Sequence, residues 1–225
     1  KEPKIFKQEG WHYELPSEDE PLTVNGVVYN EMKGAFSSPE SVLERFTSSV
    51  LFPDTPYNNE SGGDPAVIPN LSYEQFIQFH KDYYHPANSY IYLYGDMDME
   101  EKLLWLDKEY LSAYDKNDYN LDSSIALQKP FSEPVERETV YSVTANEGTE
   151  DNTYLSLNTV VGTDIDPVLY VAFQILDYTL ISAPGAPLKQ ALIDAHIGQD
   201  IMGGYENGIL QPYFSVVAKN ANKEQ

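Results

Sequence analysis

Gly26-Val27-Val28-Tyr29-Asn30-Glu31-Met32-Lys33-Gly34 is the stretch on which the reading of this chain turns. From Leu22 to Phe36 the apolar residues Val24, Val27, Val28, Met32 and Phe36 recur near helical spacing, which predicts a helix, although the Val-Val-Tyr run also suits a short strand. Glu31 is then a single acid among Val27, Val28, Met32 and Phe36, and a buried acid in such a face needs something to pair with it. The partner is Lys33, an arginine such as Arg45, or a cation; by residue type, buried carboxylates meet Arg or Lys more often than metal. Chemistry alone leaves these three open.

Working outward, Ser37-Ser38-Pro39-Glu40 reads as a helix restart. It offers a hydroxyl cap, an early proline and Glu40 three residues after Ser37 as in a capping box, opening a helix from Pro39 to about Leu51 that buries Val42, Phe46 and Val50. The prolines, asparagines and Ser61-Gly62-Gly63-Asp64-Pro65 between Phe52 and Asn70 predict a long loop, and loops of that length in compact domains are often functional. Ser72 and Gln75 cap a further helix carrying Phe76, Phe79 and Tyr83, which Pro86 ends. Ser89-Tyr90-Ile91-Tyr92-Leu93-Tyr94 predicts a strand; Asp98 opens a helix with Leu103, Leu106, Tyr110 and Leu111 inward. From Tyr114 to Glu136 the pattern dissolves into a candidate linker. Beyond it come strands near 138–145 and 153–161, a helix opened by Asp166-Pro167, another opened by Ala186-Pro187, and Asn207-Gly208 as a hairpin turn between two strand-like runs.

Composition narrows the function classes. With 36 acids against 14 bases, the formal charge of −22 repels nucleic-acid backbones and anionic lipid, so neither nucleic acid nor membrane is an expected partner. No uninterrupted apolar run reaches the length of a membrane span, and the opening Lys1-Glu2-Pro3-Lys4-Ile5-Phe6 lacks the apolar stretch of a secretory signal. The absence of cysteine excludes disulfides, thiolate metal sites and a cysteine nucleophile. There is no Gly-x-Ser-x-Gly elbow and no Gly-x-x-x-x-Gly-Lys-Ser/Thr phosphate loop. Of the four histidines, His80 and His85 have a metal-like interval, but His85 precedes Pro86 at a helix end, so a structural role is the expectation for both. His196 falls near the end of a predicted helix, where an imidazole suits the carbonyl-rich terminus.

Four separated motifs carry a resemblance. The 26–34 stretch, Ser61-Gly62-Gly63-Asp64-Pro65, Tyr84-His85-Pro86-Ala87-Asn88-Ser89 and Tyr94-Gly95-Asp96, in this order, resemble the presequence-protease branch of the pitrilysin and insulin-degrading metallopeptidases, as does the opening Phe6-Lys7-Gln8-Glu9-Gly10-Trp11-His12-Tyr13-Glu14. Similarity is more diffuse beyond Glu133, in Asn152-Thr153-Tyr154-Leu155-Ser156 and the helix from Pro187 to Ile193.

The resemblance implies an α+β fold, antiparallel sheet with helices, divided between parts of two tandem homologous domains: 1–122 as the later part of the zinc-site domain, 123–136 as linker, and 137–225 as the opening of a second, non-catalytic domain. It implies a zinc peptidase acting on short unstructured peptides, in which His-x-x-Glu-His gives two imidazole ligands and a general-base glutamate, and a distal glutamate, here Glu31, completes the site. No His-x-x-Glu-His occurs in this chain, so the chain reads as an excerpt that holds no catalytic residue, hydrolyses nothing alone and binds no zinc tightly; its partners are peptide substrate and the remaining domains of the same polypeptide. A cytoplasmic, bacterial-type setting is expected, with an organellar one as the alternative. The competing class is a non-catalytic scaffold or peptide-binding relative of the same fold.

Overall fold

The computed structural model describes residues 2–146 and 148–224 and divides them into two compact units, Lys1–Glu31 with Asp64–Ser124, and Met32–Gly63 with Ile125–Gln225. Helices and small antiparallel sheets make this an α+β chain.

In the first unit, α1 (Pro3–Glu9) precedes β1 (His12–Glu14) and β2 (Thr23–Asn25), which pair antiparallel with Tyr13 opposite Val24. The helix expected from Leu22 starts only at Val27, because Thr23–Asn25 are taken by this ladder; α2 covers Val27–Ala35, and the division between the units falls after Glu31 within it. Ser72 accepts from the Gln75 N–H while Gln75 reaches back to the Ser72 N–H, and α4 runs from Tyr73 to Tyr83 as the capping box demands. Phe6 meets Tyr73 and Phe76 at centroid distances of 5.9 and 5.5 Å, and Trp11 Nε1 donates to the Leu71 carbonyl at 2.9 Å. Asp98 caps α5 (Met99–Glu109) by accepting from the Glu101 N–H. Neither α4 nor α5 holds a buried residue, and Leu103, expected inward, is exposed.

Residues 89–94 form no strand; Tyr90, Tyr92 and Tyr94 stand in solvent. A strand requires a hydrogen-bonding neighbour, and β propensity measures fit to a half-buried sheet rather than a backbone preference. The same reason applies to residues 138–145, also expected as a strand: Val140 is 88% exposed, and Tyr141 is tied by a side-chain hydrogen bond to the Asn152 carbonyl and an edge-on contact with the Tyr154 ring.

The second unit is organised on the sheet β3 (Thr153–Val160), β5 (Tyr213–Ala221), β4 (Asp200–Glu206), in that order and fully antiparallel. The β4–β5 connection contains Asn207-Gly208 but is longer than the two-residue turn expected. Gly203 in β4 has φ +145°, and an added Cβ would overlap the Ser215 carbonyl of β5, so only glycine allows that approach. Helix α3 spans Pro39–Leu51 as expected, but its cap is Ser38, accepting from the Ser41 N–H, rather than Ser37; Thr47 and Leu51 are buried, while Val42, Phe46 and Val50 are half-buried. One core cluster joins Leu51, Phe52 and Tyr213, the other Ile201, Ala218 and Ala221.

Asp166 caps α6 (Pro167–Asp177), accepting from the Val168 and Leu169 N–H groups. A π-helical turn, Tyr178–Ser182, follows, and α7 covers Pro187–Asp194. By length and composition alone the stretch Pro167–Asp194 matches a membrane crossing. Ala183-Pro184-Gly185-Ala186 interrupts it, leaving segments of eleven plus five and of eight residues, short of the roughly 20 that one span needs.

Candidate functional site

The first turn of α2 is fixed by short polar contacts. Gly26 is buried with φ +152°, and a Cβ there would strike the Gly10 carbonyl and Trp11 Cα, so the chain enters α2 pressed against residues 10–11. The Asn25 side-chain carbonyl accepts from the Gly26 N–H and from Asn30 Nδ2, both at 2.7 Å, while the Tyr29 N–H donates to the Gly10 carbonyl at 3.3 Å. The glycine and both asparagines thus serve the helix start.

Glu31 stands one turn further on and is exposed, in contrast to the buried acid expected from its neighbours; Val27 and Val28 are exposed too. The apolar pattern was real, but only Met32 and Phe36 of that face are half-buried, while Val27 and Val28 are left open. No ion pair among the described residues includes Glu31. Arg45, the arginine weighed as its partner, instead places its guanidinium 3.2 Å from the Phe36 ring centroid and donates to the Ala35 carbonyl at 3.4 Å. Met32, the next residue of α2, lies against Gly62, where an added Cβ would meet the thioether sulfur. That contact joins the 26–34 and 61–65 motifs.

The histidines serve structure. His12 Nδ1 bonds the Lys7 carbonyl at 2.7 Å, and His80 stacks on Tyr84 at 4.7 Å. His85 Nδ1 accepts from the Ala87 N–H at 3.1 Å while its ring packs between Tyr114 and Tyr119. Asn88 Nδ2 donates to the Tyr83 carbonyl and Ser123 Oγ to Asn88 Oδ1, so the Tyr84-to-Ser89 motif closes the end of α4. His196, at φ +59°, follows α7 with its N–H on the Ile193 carbonyl. Among the described residues no three His, Cys, Asp or Glu side chains converge to hold a metal.

Two features escaped the sequence. Glu40 Oε1 accepts from Lys219 Nζ at 2.5 Å and Tyr154 OH at 2.8 Å, joining α3 to β5 and β3. The Lys219 hydrogen bond, then that of Tyr154, lowers the Glu40 carboxyl from 4.5 to about 2. The Glu40 bond in turn raises Lys219, while burial and then Glu40 raise Tyr154. The second feature is Gln128, only 7% exposed within an open, irregular stretch. Its Oε1 accepts from the Asp54 N–H at 2.9 Å, its Nε2 donates to Asp54 Oδ2 at 2.8 Å, its N–H donates to Gln211 Oε1 at 2.6 Å, and its carbonyl accepts from Gln211 Nε2 at 3.2 Å. No sequence signal joins partners 74 and 83 residues apart.

Alongside α3 and β3 lies a cavity of about 1360 Å³, lined by Val42, Phe46, Val50, Phe131, Tyr141 and Leu155 among others.

Comparison with known proteins adds the following. Residues 70–224 match a family model described as the peptidase M16 inactive domain. Protein HypA of Clostridium perfringens is 47% identical over 227 residues, covering 100% of this chain and 23% of that protein. Presequence protease 1, chloroplastic/mitochondrial, of Arabidopsis thaliana is 37% identical, covering 97% and 20%. The mitochondrial presequence protease of Xenopus tropicalis is 32% identical, covering 97% and 22%. The chain therefore spans less than a quarter of the length of these relatives. A crystal structure of a protease from Helicobacter pylori matches with TM-score 0.44 and 16% identity, over 98% of this chain and 60% of that one.

Proposed function

The chain belongs to the peptidase M16 family, and from that premise we propose that it is a piece of a zinc-dependent peptidase of short, unstructured peptides, in which Glu31 is one metal ligand. One observation carries the reading. Glu31 is exposed, without an ion pair among the described residues, on a helix whose entry is clamped by Gly26, Asn25 and Asn30. Such an acid, on a backbone positioned by that clamp, is open to a partner outside this chain. The ion, when bound, would supply a water made acidic enough to attack a peptide carbonyl; this chain's contribution is to hold one carboxylate in place. The other ligands and the base would come from a His-x-x-Glu-His segment elsewhere in the polypeptide.

The division proposed is 1–122 as the later part of the zinc-site domain, 123–136 as linker and 137–225 as the opening of the non-catalytic domain. A cytoplasmic bacterial setting is proposed; the organellar alternative draws on the mitochondrial and chloroplastic names of the relatives.

The scaffold reading draws on a different fact: the matching family model is that of an inactive domain, and Glu31 lies outside its 70–224 range. Glu31→Gln in the intact protein separates the two. The enzyme reading expects zinc content to fall well below one equivalent and peptide cleavage to drop by about 100-fold or more, with thermal stability little changed. Unchanged zinc content, or a loss of stability alone, would remove Glu31 from the metal site. The isolated chain, titrated with zinc in a calorimeter, is expected to show no tight stoichiometric binding.

A further inference from the structure

Gln128 is the one nearly buried residue in an otherwise open run; besides a 3.4 Å donation from Nε2 to the adjacent Lys129 carbonyl, its hydrogen bonds lead to two distant places, Asp54 and Gln211. Asp54 begins the loop between Phe52 and the Ser61-Gly62-Gly63 motif. That loop is a series of linked turns. Thr55 N–H and Oγ1 both donate to the Phe52 carbonyl, Asn58 N–H donates to the Thr55 carbonyl, Asn59 N–H to the Pro56 carbonyl, and Gly63 N–H to the Glu60 carbonyl. The Tyr57 hydroxyl, midway along, accepts from the Leu210 N–H at 2.9 Å, so the connection that holds Gln128 through Gln211 also holds the loop. At the far end Gly62 rests on Met32, the neighbour of Glu31 in α2.

We propose that Gln128 is a positioning residue for Glu31: its two-sided amide bridge fixes the 52–63 loop, and Gly62 on Met32 passes that constraint to the helix carrying the carboxylate. The inference rests on the reading of Glu31 as a metal ligand. It assigns a purpose to the glycine pair, which the ligand reading leaves unused. Gly62 leaves room for the Met32 thioether: a side chain there would push that flexible end aside, and the loop would then bear on α2 differently. A glutamine suits the bridge because one planar amide offers an acceptor to the Asp54 N–H and a donor to the Asp54 carboxylate; glutamate would set two carboxylates against each other.

The test compares Gln128→Ala, Gln128→Glu, and the exchange Gln128→Glu with Asp54→Asn, which reverses donor and acceptor across the bridge. Amide hydrogen exchange is read on residues 31–35 and 60–63, and zinc affinity by competition with a chromogenic chelator in the intact protein. Both single substitutions are expected to speed exchange in both segments and to weaken zinc by about 2- to 30-fold, the range seen when coupling is carried through packed contacts. The exchange of roles is expected to restore both readouts. If exchange quickens only around 52–56 and 126–130, with 31–35 and zinc affinity unchanged, Gln128 is a local brace and the proposal fails. Loss of zinc on Glu31→Gln together with no effect of Gln128→Ala would sink this inference alone; no effect of Glu31→Gln would sink the ligand reading beneath it.

Discussion

Both units of this chain contain helices with side-chain caps, Ser72 and Asp98 in the first and Ser38 and Asp166 in the second, and they differ in what lies against them. In the first, α4 and α5 have complete N-terminal caps yet no buried residue, and Ile68 is the buried apolar side chain among those described. In the second, a three-stranded sheet carries two core clusters and encloses Phe52 completely. A cap settles where a helix begins, because it acts over three residues. It supplies no burial, and most helical stability in proteins comes from packing one face. The first unit therefore has apolar side chains of a folded domain, Phe79 on α4 and Leu103 and Leu104 on α5, that stay more than half exposed among the described residues.

Substitutions should separate the units sharply. Phe52→Ala, at a fully buried position, is expected to cost about 3–5 kcal/mol in chemical denaturation. Phe79→Ala, at 57% exposure, should cost under about 0.5 kcal/mol. A cost for Phe79 near that of Phe52 would show that α4 is covered in solution and would erase the contrast. Next in size, Gly203→Ala should cost about 1–3 kcal/mol, because a left-handed backbone and the Ser215 carbonyl both oppose a Cβ; the readout is amide exchange along β4 and β5. In the first unit the comparable local lever is the cap. Ser72→Ala should cost about 1 kcal/mol of helix stability, read as faster exchange in the first turn of α4 with the second unit unaffected.

The smallest effect is electrostatic. The Glu40 carboxyl is lowered from 4.5 to about 2, so its contribution to the second unit is full above its ordinary value and is lost as pH falls from 4.5 toward 2. Lys219 is raised, so its share is full below its ordinary 10.5 and is lost as pH climbs through the raised value. Both side chains are more than a third exposed, so salt screens much of this. Lys219→Met should flatten the acid limb of a thermal-stability profile between pH 4.5 and 2; an unchanged limb would mean the Glu40 bridge carries no pH dependence.

The same split governs what could be read in advance. Ser72 with Gln75, Asp98, Asp166 with Pro167, and the start at Pro39 were legible because each is a contact between near neighbours. Residues 89–94 and 138–145 had the composition of strands and formed none, since a ladder depends on a second segment that composition does not name. Glu31 was legible as an acid in an apolar helix; its exposure and the engagement of Arg45 with Phe36 were not. The Glu40, Tyr154 and Lys219 bridge spans 179 residues and left no trace in spacing.

By itself, then, the sequence determined most of the helices and the caps at Ser72, Asp98 and Asp166, the absence of cysteine chemistry, the strongly acidic balance and the kinship carried by the 26–34, 61–65 and 84–89 motifs. Those are properties of residue type and of short-range geometry. Only the tertiary structure decided which strands pair, which stripes find cover, and that Gln128 ties the 52–63 loop from two directions. Each of these joins residues far apart along the chain, where the cost of closing the loop is met by packing that no local pattern encodes.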